Sequence, residues 1–148
     1  MLKKMKKMLK NDRGLTLVEL LAVIVILGII AAIAVPSIGN IIEKSRADAV
    51  KAEGIQALNA AKLYVASEGT PEANTEGDIV ITSANIDKFM DKQSDTLTGY
   101  TVVVDTTDDN KLKLTATGKK GNVSISFADA TVQDINEAET NTGSIPAE

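Results

Sequence analysis

The chain of 148 residues contains no cysteine, no histidine and no tryptophan. Without cysteine there is no disulfide and no thiol nucleophile, and the redox compartment cannot be read from cysteine usage. Without histidine the usual general base and the commonest metal ligand are missing. Tyr64, Phe89, Tyr100 and Phe127 are the whole aromatic complement, too few and too scattered for a base-stacking platform, so they read as core. No phosphate loop, nucleophile–base pair or paired catalytic acids stands out. These absences point away from an enzyme, and nothing in the sequence calls for a cofactor or a metal.

Charge is distributed unevenly. Lys3, Lys4, Lys6, Lys7, Lys10 and Arg13 stand against Asp12, a net of +5, so the whole-chain charge of −4 leaves −9 from Leu15 onward. A basic flank ahead of an apolar span stays cytoplasmic, which sends the acidic remainder across the membrane. That remainder lacks the clustered cations that phosphate contacts need, so no direct nucleic-acid partner is expected.

Between Leu15 and Ile42 lie 28 residues with a single charge, Glu19. The length exceeds the roughly 20 residues that a membrane span requires. A carboxylate inside such a span costs roughly 2.5–3.5 kcal/mol, so Glu19 needs a compensating cation. An ordinary signal peptide, cut after Ala32-Ile33-Ala34, explains neither Glu19 nor the apolar run through Ile38, Ile41 and Ile42. An uncleaved single-span anchor explains the charge asymmetry and leaves the carboxylate uncompensated.

Residues 43–68 are rich in Ala, Lys and Glu and lack proline, and so read as helix. Val50, Ala57, Leu58, Ala61 and Val65 recur at helical spacing and form one buried stripe. A continuous helix over 15–68 would be about 80 Å long, ended by Gly69 and Pro71. Beyond it the period changes to two. Ile79–Ile81 is a short apolar run, and Ser83–Lys92 is expected as a short helix capped by Ser83 or Asn85. Tyr100–Thr106, Lys111–Thr117 and Val123–Ala128 are expected strands. Asp108-Asp109-Asn110 and Gly118-Lys119-Lys120-Gly121-Asn122 read as turns. Leu112, Leu114, Val123, Ile125 and Phe127 would form the apolar face laid on the helix stripe. Asp105, Asp108, Asp109 and Asn110 offer oxygen ligands for calcium, but their spacing lacks an EF-hand's glycine and closing glutamate, and a solvated turn is the better account. The tail Asp129–Glu148 is acidic and polar, and is expected to be loosely docked or disordered.

Arg13-Gly14-Leu15-Thr16-Leu17-Val18-Glu19-Leu20-Leu21, behind a short Lys-rich leader, resembles the class III signal of type IV prepilins and pseudopilins. The likeness covers roughly residues 10–45. It has Leu15 where phenylalanine or methionine is commoner. The resemblance implies cleavage after Gly14 by a prepilin peptidase and methylation of the new amine on Leu15. It also implies assembly with other copies through a charge pair between that ammonium and Glu19, on a platform protein in the membrane. Leu15 and Glu19 are i and i+4, so the pair could close within one chain or between neighbours. Gly28 and Pro36 would break the helix: a bland reading is a kink, and the resemblance implies local unwinding in a filament. Gly28, Ala31, Ala32 and Ala34 would permit close helix contacts.

The expected fold is α+β, a pilin lollipop: a long N-terminal helix packed on a small antiparallel sheet of three or four strands. Its parts would be a cleaved leader (1–14), a membrane and filament-core helix (15–42), a globular head (43–128) and a tail (129–148). The expected function is structural, as a major pilin-like subunit of a type IV pilus. It would be a single-pass membrane protein with a cytoplasmic N-terminus before assembly and part of a surface filament afterwards. The alternative is a type II secretion pseudopilin or a subunit of a competence pseudopilus taking up DNA. Many pilins of Gram-negative bacteria close a C-terminal loop with a disulfide, so the absence of cysteine favours a Gram-positive or otherwise divergent source.

Overall fold

The computed structural model describes the backbone of residues 2–75, 77–91, 93–139 and 143–146, with side chains from residue 16 onward within those ranges. The chain divides into two compact units, Met1–Ile41 and Ile42–Glu148. One helix, α1 (Leu2–Glu68), contributes to both.

Among the described residues of the first unit α1 is the only element. From Thr16 to Ile41 its side chains are exposed, Ala34 alone being half-covered. It is the one helix among the described residues that is long and apolar enough to cross a membrane. The break expected at Gly28 and Pro36 is absent from the single chain, because α1 runs through both positions uninterrupted. Proline removes one backbone bond, about 3 kcal/mol in a helix interior, and the helical bonds on either side still hold the segment together.

The second unit, called the head below, begins at Ile42. Here α1 becomes one-sided. Ala47, Val50, Lys51, Gly54, Ala57, Leu58 and Ala61 are buried at helical spacing. Gly69, at φ +85°, ends the helix and donates its N–H to the Val65 carbonyl. A left-handed C-terminal residue of this kind closes a helix at little cost only as glycine.

Against this stripe lies a five-stranded sheet in the order β1 (Ile79–Thr82), β2 (Leu97–Asp105), β3 (Lys111–Lys120), β4 (Val123–Ala130) and β5 (Ser144–Ile145). The first three pairings are antiparallel and the last is parallel. Small residues set how closely helix and sheet approach. A Cβ on Gly54 would sit 3.0 Å from the Phe127 ring and 3.3 Å from Leu114, and one on Gly118 would sit 2.3 Å from Val50. Each large aliphatic or aromatic side chain buried here contributes about 1.5–3 kcal/mol. The pairs Lys111–Asp108 and Lys113–Asp105 lie at or near the surface, where water screens them, and add little. Apolar burial holds the head together.

The strands are longer than period-two patterning implies. Two bulges account for it. β2 shifts register between Thr98 and Thr101, with Gly99 at φ +61°, which lets Leu97 and Tyr100 both face inward three residues apart. β4 shifts opposite Leu114 and Ala116, with Asp129 at φ +55°, which brings Phe127 and Ala130 to the same face. An extra residue re-phases a strand in this way. The turn expected over Gly118–Asn122 is narrower, since Gly118, Lys119 and Lys120 belong to β3 and only Gly121-Asn122 turns. The β2–β3 turn is as expected, with Asp109 and Asn110 at positive φ.

Two further expectations are corrected. The helix over Ser83–Lys92 is only α2 (Ser83–Ile86) followed by a 3-10 turn at Asp87–Phe89, and its cap is Thr82 rather than Ser83 or Asn85. Asp87 there accepts a hydrogen bond from the Tyr100 hydroxyl, tying the turn to β2. The sheet has five strands rather than three or four because the tail is not loose where it is described. Residues 132–137 form α3, closed by a capping box in which Asp134 N–H donates to Thr131 and Thr131 N–H donates to Asp134. Ile135 and Ile145 are fully buried and Ile145 pairs with Phe127, so apolar burial anchors a segment whose overall composition is polar. Lys51 completes the attachment, donating to the carbonyls of Ala138 at 2.6 Å and Glu139 at 3.1 Å.

Two predictions follow from this docking. Lys51→Met keeps the bulk of the side chain but removes both of these hydrogen bonds. It should lower head stability in the full chain by about 1 kcal/mol, the low end for such losses because Glu139 lies at the surface, as read by thermal melting in detergent. The Thr131 hydroxyl, with the Thr131 backbone, holds the Asp134 carboxyl below its usual range. A depressed folded-state value stabilises above the ordinary carboxylate range and is lost as pH falls through that value. Asp134→Asn should therefore cost about 0.5–1 kcal/mol at neutral pH, and the difference from the unsubstituted chain should vanish in acid.

Candidate functional site: the N-terminal segment

The segment is built on α1. A helix rises about 1.5 Å per residue, so positions four apart share a face about 6 Å apart along the axis. Glu19 is exposed and flanked by Leu17, Val18, Leu20 and Leu21, whose exposures run from 55 to 67%. Among the described residues no hydrogen bond or ion pair engages its carboxylate. From there to Ile42 the helix presents aliphatic side chains on every side, among them Ile24, Leu27, Ile30, Ile33, Ile38 and Ile41. Among the described residues this surface has no partner within its own unit.

Gly14 and Leu15 are part of the α1 backbone, and their side chains lie outside the described residues. Gly28 and Pro36 sit within α1, and a Cβ on Gly28 would meet nothing within 4 Å. The face carrying Gly28, Ala31 and Ala32 is therefore open to a second helix.

In the head several acidic groups are engaged with neighbouring side chains. Asp105 accepts from Lys113 at 2.6 Å and from the Thr107 hydroxyl and N–H at 2.6 and 2.9 Å. Lys113 and then Thr107 hold its carboxyl well below the usual range, and Asp105 in turn raises Lys113. Asp108 bonds Lys111 at 2.7 Å and raises it likewise. The four-residue group considered for calcium is thus a lysine-bridged turn. Glu53 accepts from the hydroxyls of Ser94 and Thr96, and Asp87 from Tyr100 and Gln93. Burial, with Asp87 beside it, pushes the Tyr100 hydroxyl well above its ordinary value. These bonds tie α1 and the α2 connection to β2. Lys51 went unread because a lysine does not look like stripe material, yet it is in phase with Gly54, Leu58 and Ala61.

Residues 9–35 match the family model described as the prokaryotic N-terminal methylation motif. No curated protein matches the chain, and no solved structure does. The matched stretch contains Gly14, Leu15, Glu19 and Gly28 and stops just short of Pro36. Its presence implies peptidase processing and polymerisation in general, and its apolar helix is consistent with membrane anchoring before assembly. The N-terminal segment of this chain is a type IV prepilin-like class III signal.

Proposed function

We propose that the chain is a structural subunit, major pilin-like, of a type IV pilus. A prepilin peptidase cuts between Gly14 and Leu15, the new amine is methylated, and subunits leave the membrane through a platform protein to form a surface filament. The observation that carries this reading is the helix of residues 16–41, aliphatic on all sides, uncovered within its unit, and interrupted by one carboxylate. A lipid bilayer covers such a surface before assembly, and the same surface of other copies covers it afterwards. Glu19 is then compensated by the ammonium on Leu15 of its own or a neighbouring chain, in a low dielectric where pairing matters most. We read the chain as a processed building block rather than an enzyme.

A pseudopilus subunit would share every one of these features. The −9 charge from Leu15 onward disfavours direct DNA capture by this subunit, which sets the competence reading behind the pilus. Electron microscopy of filaments sheared from cells separates the remaining two, long fibres supporting the pilus and short stubs the pseudopilus.

Gly14→Val should block cleavage and leave a protein about 14 residues larger by mass spectrometry. Normal processing of that variant would remove the peptidase step. Glu19→Ala should insert into the membrane more readily, by roughly 2.5–3.5 kcal/mol, yet its filament yield should fall at least about tenfold, the equivalent of ~1.4 kcal/mol per subunit contact. Wild-type filament yield from it would make the charge pair dispensable.

A further inference from the structure

The head is electrostatically lopsided along α1. Gly121, at the tip of the β3–β4 hairpin, lies against Arg46, since a Cβ there would be 2.7 Å from the guanidinium. Further along, Gly118 faces Val50, and Gly54 faces Leu114 and Phe127. β3 therefore runs back along α1, and its hairpin tip marks the end of the head where Ile42 sits. Lys119 and Lys120 precede that tip and are exposed, as is Lys44, while Arg46 is half-buried under the turn. The acids on the same stretch of α1 are Glu43 and Asp48, both exposed. Four cations and two acids give this end +2, out of −8 for residues 42–148, so the rest of the head carries −10.

The position of these cations is what gives them meaning. Lys44 and Arg46 follow Ile42 by two and four residues, about 3 and 6 Å along a helix. The polar headgroup layer beyond the hydrocarbon is about 5–7 Å deep on each side. Cations this close to a span on its exported side also work against the orientation signal set by the leader.

We propose that Lys44, Arg46, Lys119 and Lys120 form a collar that seats the unassembled head on the anionic phospholipid headgroups of the leaflet from which it emerges. The proposal rests on the membrane-anchored state described under the proposed function. The collar joins two elements distant in sequence, the first turn of the head helix and a hairpin tip, and the Arg46–Gly121 contact fixes them together. Each cation near an anionic leaflet is worth about fivefold in occupancy. The acidic remainder of the head is repelled by the same surface, so the lipid contact is confined to this end.

The chain has no cysteine, so a single label can be placed at Ser124→Cys, the exposed cross-strand partner of Lys119. The labelled full chain is inserted into vesicles of phosphatidylcholine alone, or with about a third phosphatidylglycerol, and the label is quenched with neutral acrylamide. Quenching should be at least about fivefold weaker in the anionic vesicles, the worth of one cation. The protection should disappear in Lys119→Gln/Lys120→Gln and in about 0.5 M salt, and persist in Lys88→Gln, an exposed lysine outside the collar. Equal quenching in both lipids overturns the collar, as does protection that survives the double substitution. Protection that follows protein density rather than lipid charge also overturns it, and assigns the surface to a second copy. An alkaline carbonate wash separates the underlying reading: a chain stripped from the vesicles was never inserted, and membrane anchoring falls with the collar.

Discussion

A carboxylate set among aliphatic side chains has to find its counter-charge outside the residues that surround it. In α1 that condition falls on Glu19, with no cation among the described residues to meet it and with an uncovered apolar surface extending from it to Ile42. Burial of that surface is favourable only where the charge is also satisfied, because an unpaired ion loses more on desolvation than its neighbours gain. In the scheme proposed above, the free amine made by cutting after Gly14 satisfies both requirements at once. On that proposal one chemical event converts a membrane resident into a unit competent to associate.

The same helix solves a different problem over its second half. Past Ile42 its apolar residues collect on one face, and the residues that matter most there are small. Gly54 admits Phe127 and Leu114, and Gly118 on the sheet admits Val50. A helix and a sheet can nest this closely only where side chains are missing from one partner, so close approach is encoded by absences. Two polar clusters, Glu53 with Ser94 and Thr96, and Asp87 with Tyr100 and Gln93, then fix the connection between β1 and β2.

Much of this was legible in the sequence, and the exceptions have identifiable causes. The helix stripe from Val50 to Ala61 and the inward set Leu114, Ile125 and Phe127 follow from periodicity, and both are buried as periodicity requires. Strand limits failed at Gly99 and Asp129, where a positive φ inserts an extra residue and alternation stops being a guide. Composition misleads in the tail, which is polar on average while its attachment depends on two isoleucines, Ile135 and Ile145, and on one lysine across the fold. Composition averages over a segment, whereas docking is decided by single residues. In the candidate site, Glu19 and the signal around it could be read because a charge in an aliphatic run has few explanations. The Arg46–Gly121 contact could not, since nothing local ties residue 46 to a hairpin some seventy-five positions later.

β5 is only two residues long, yet it covers the border of β4 at Ser126 and Phe127, where bare amides and carbonyls would otherwise be presented. Exposed strand borders invite neighbouring chains to zip on, a hazard that grows with local concentration. In a polymer, heads are held side by side at concentrations no free protein reaches. In the filament proposed for this chain, a short plug on that border would direct crowded neighbours to meet through side chains instead, and would keep that side of the fibre from hardening into amyloid-like sheet.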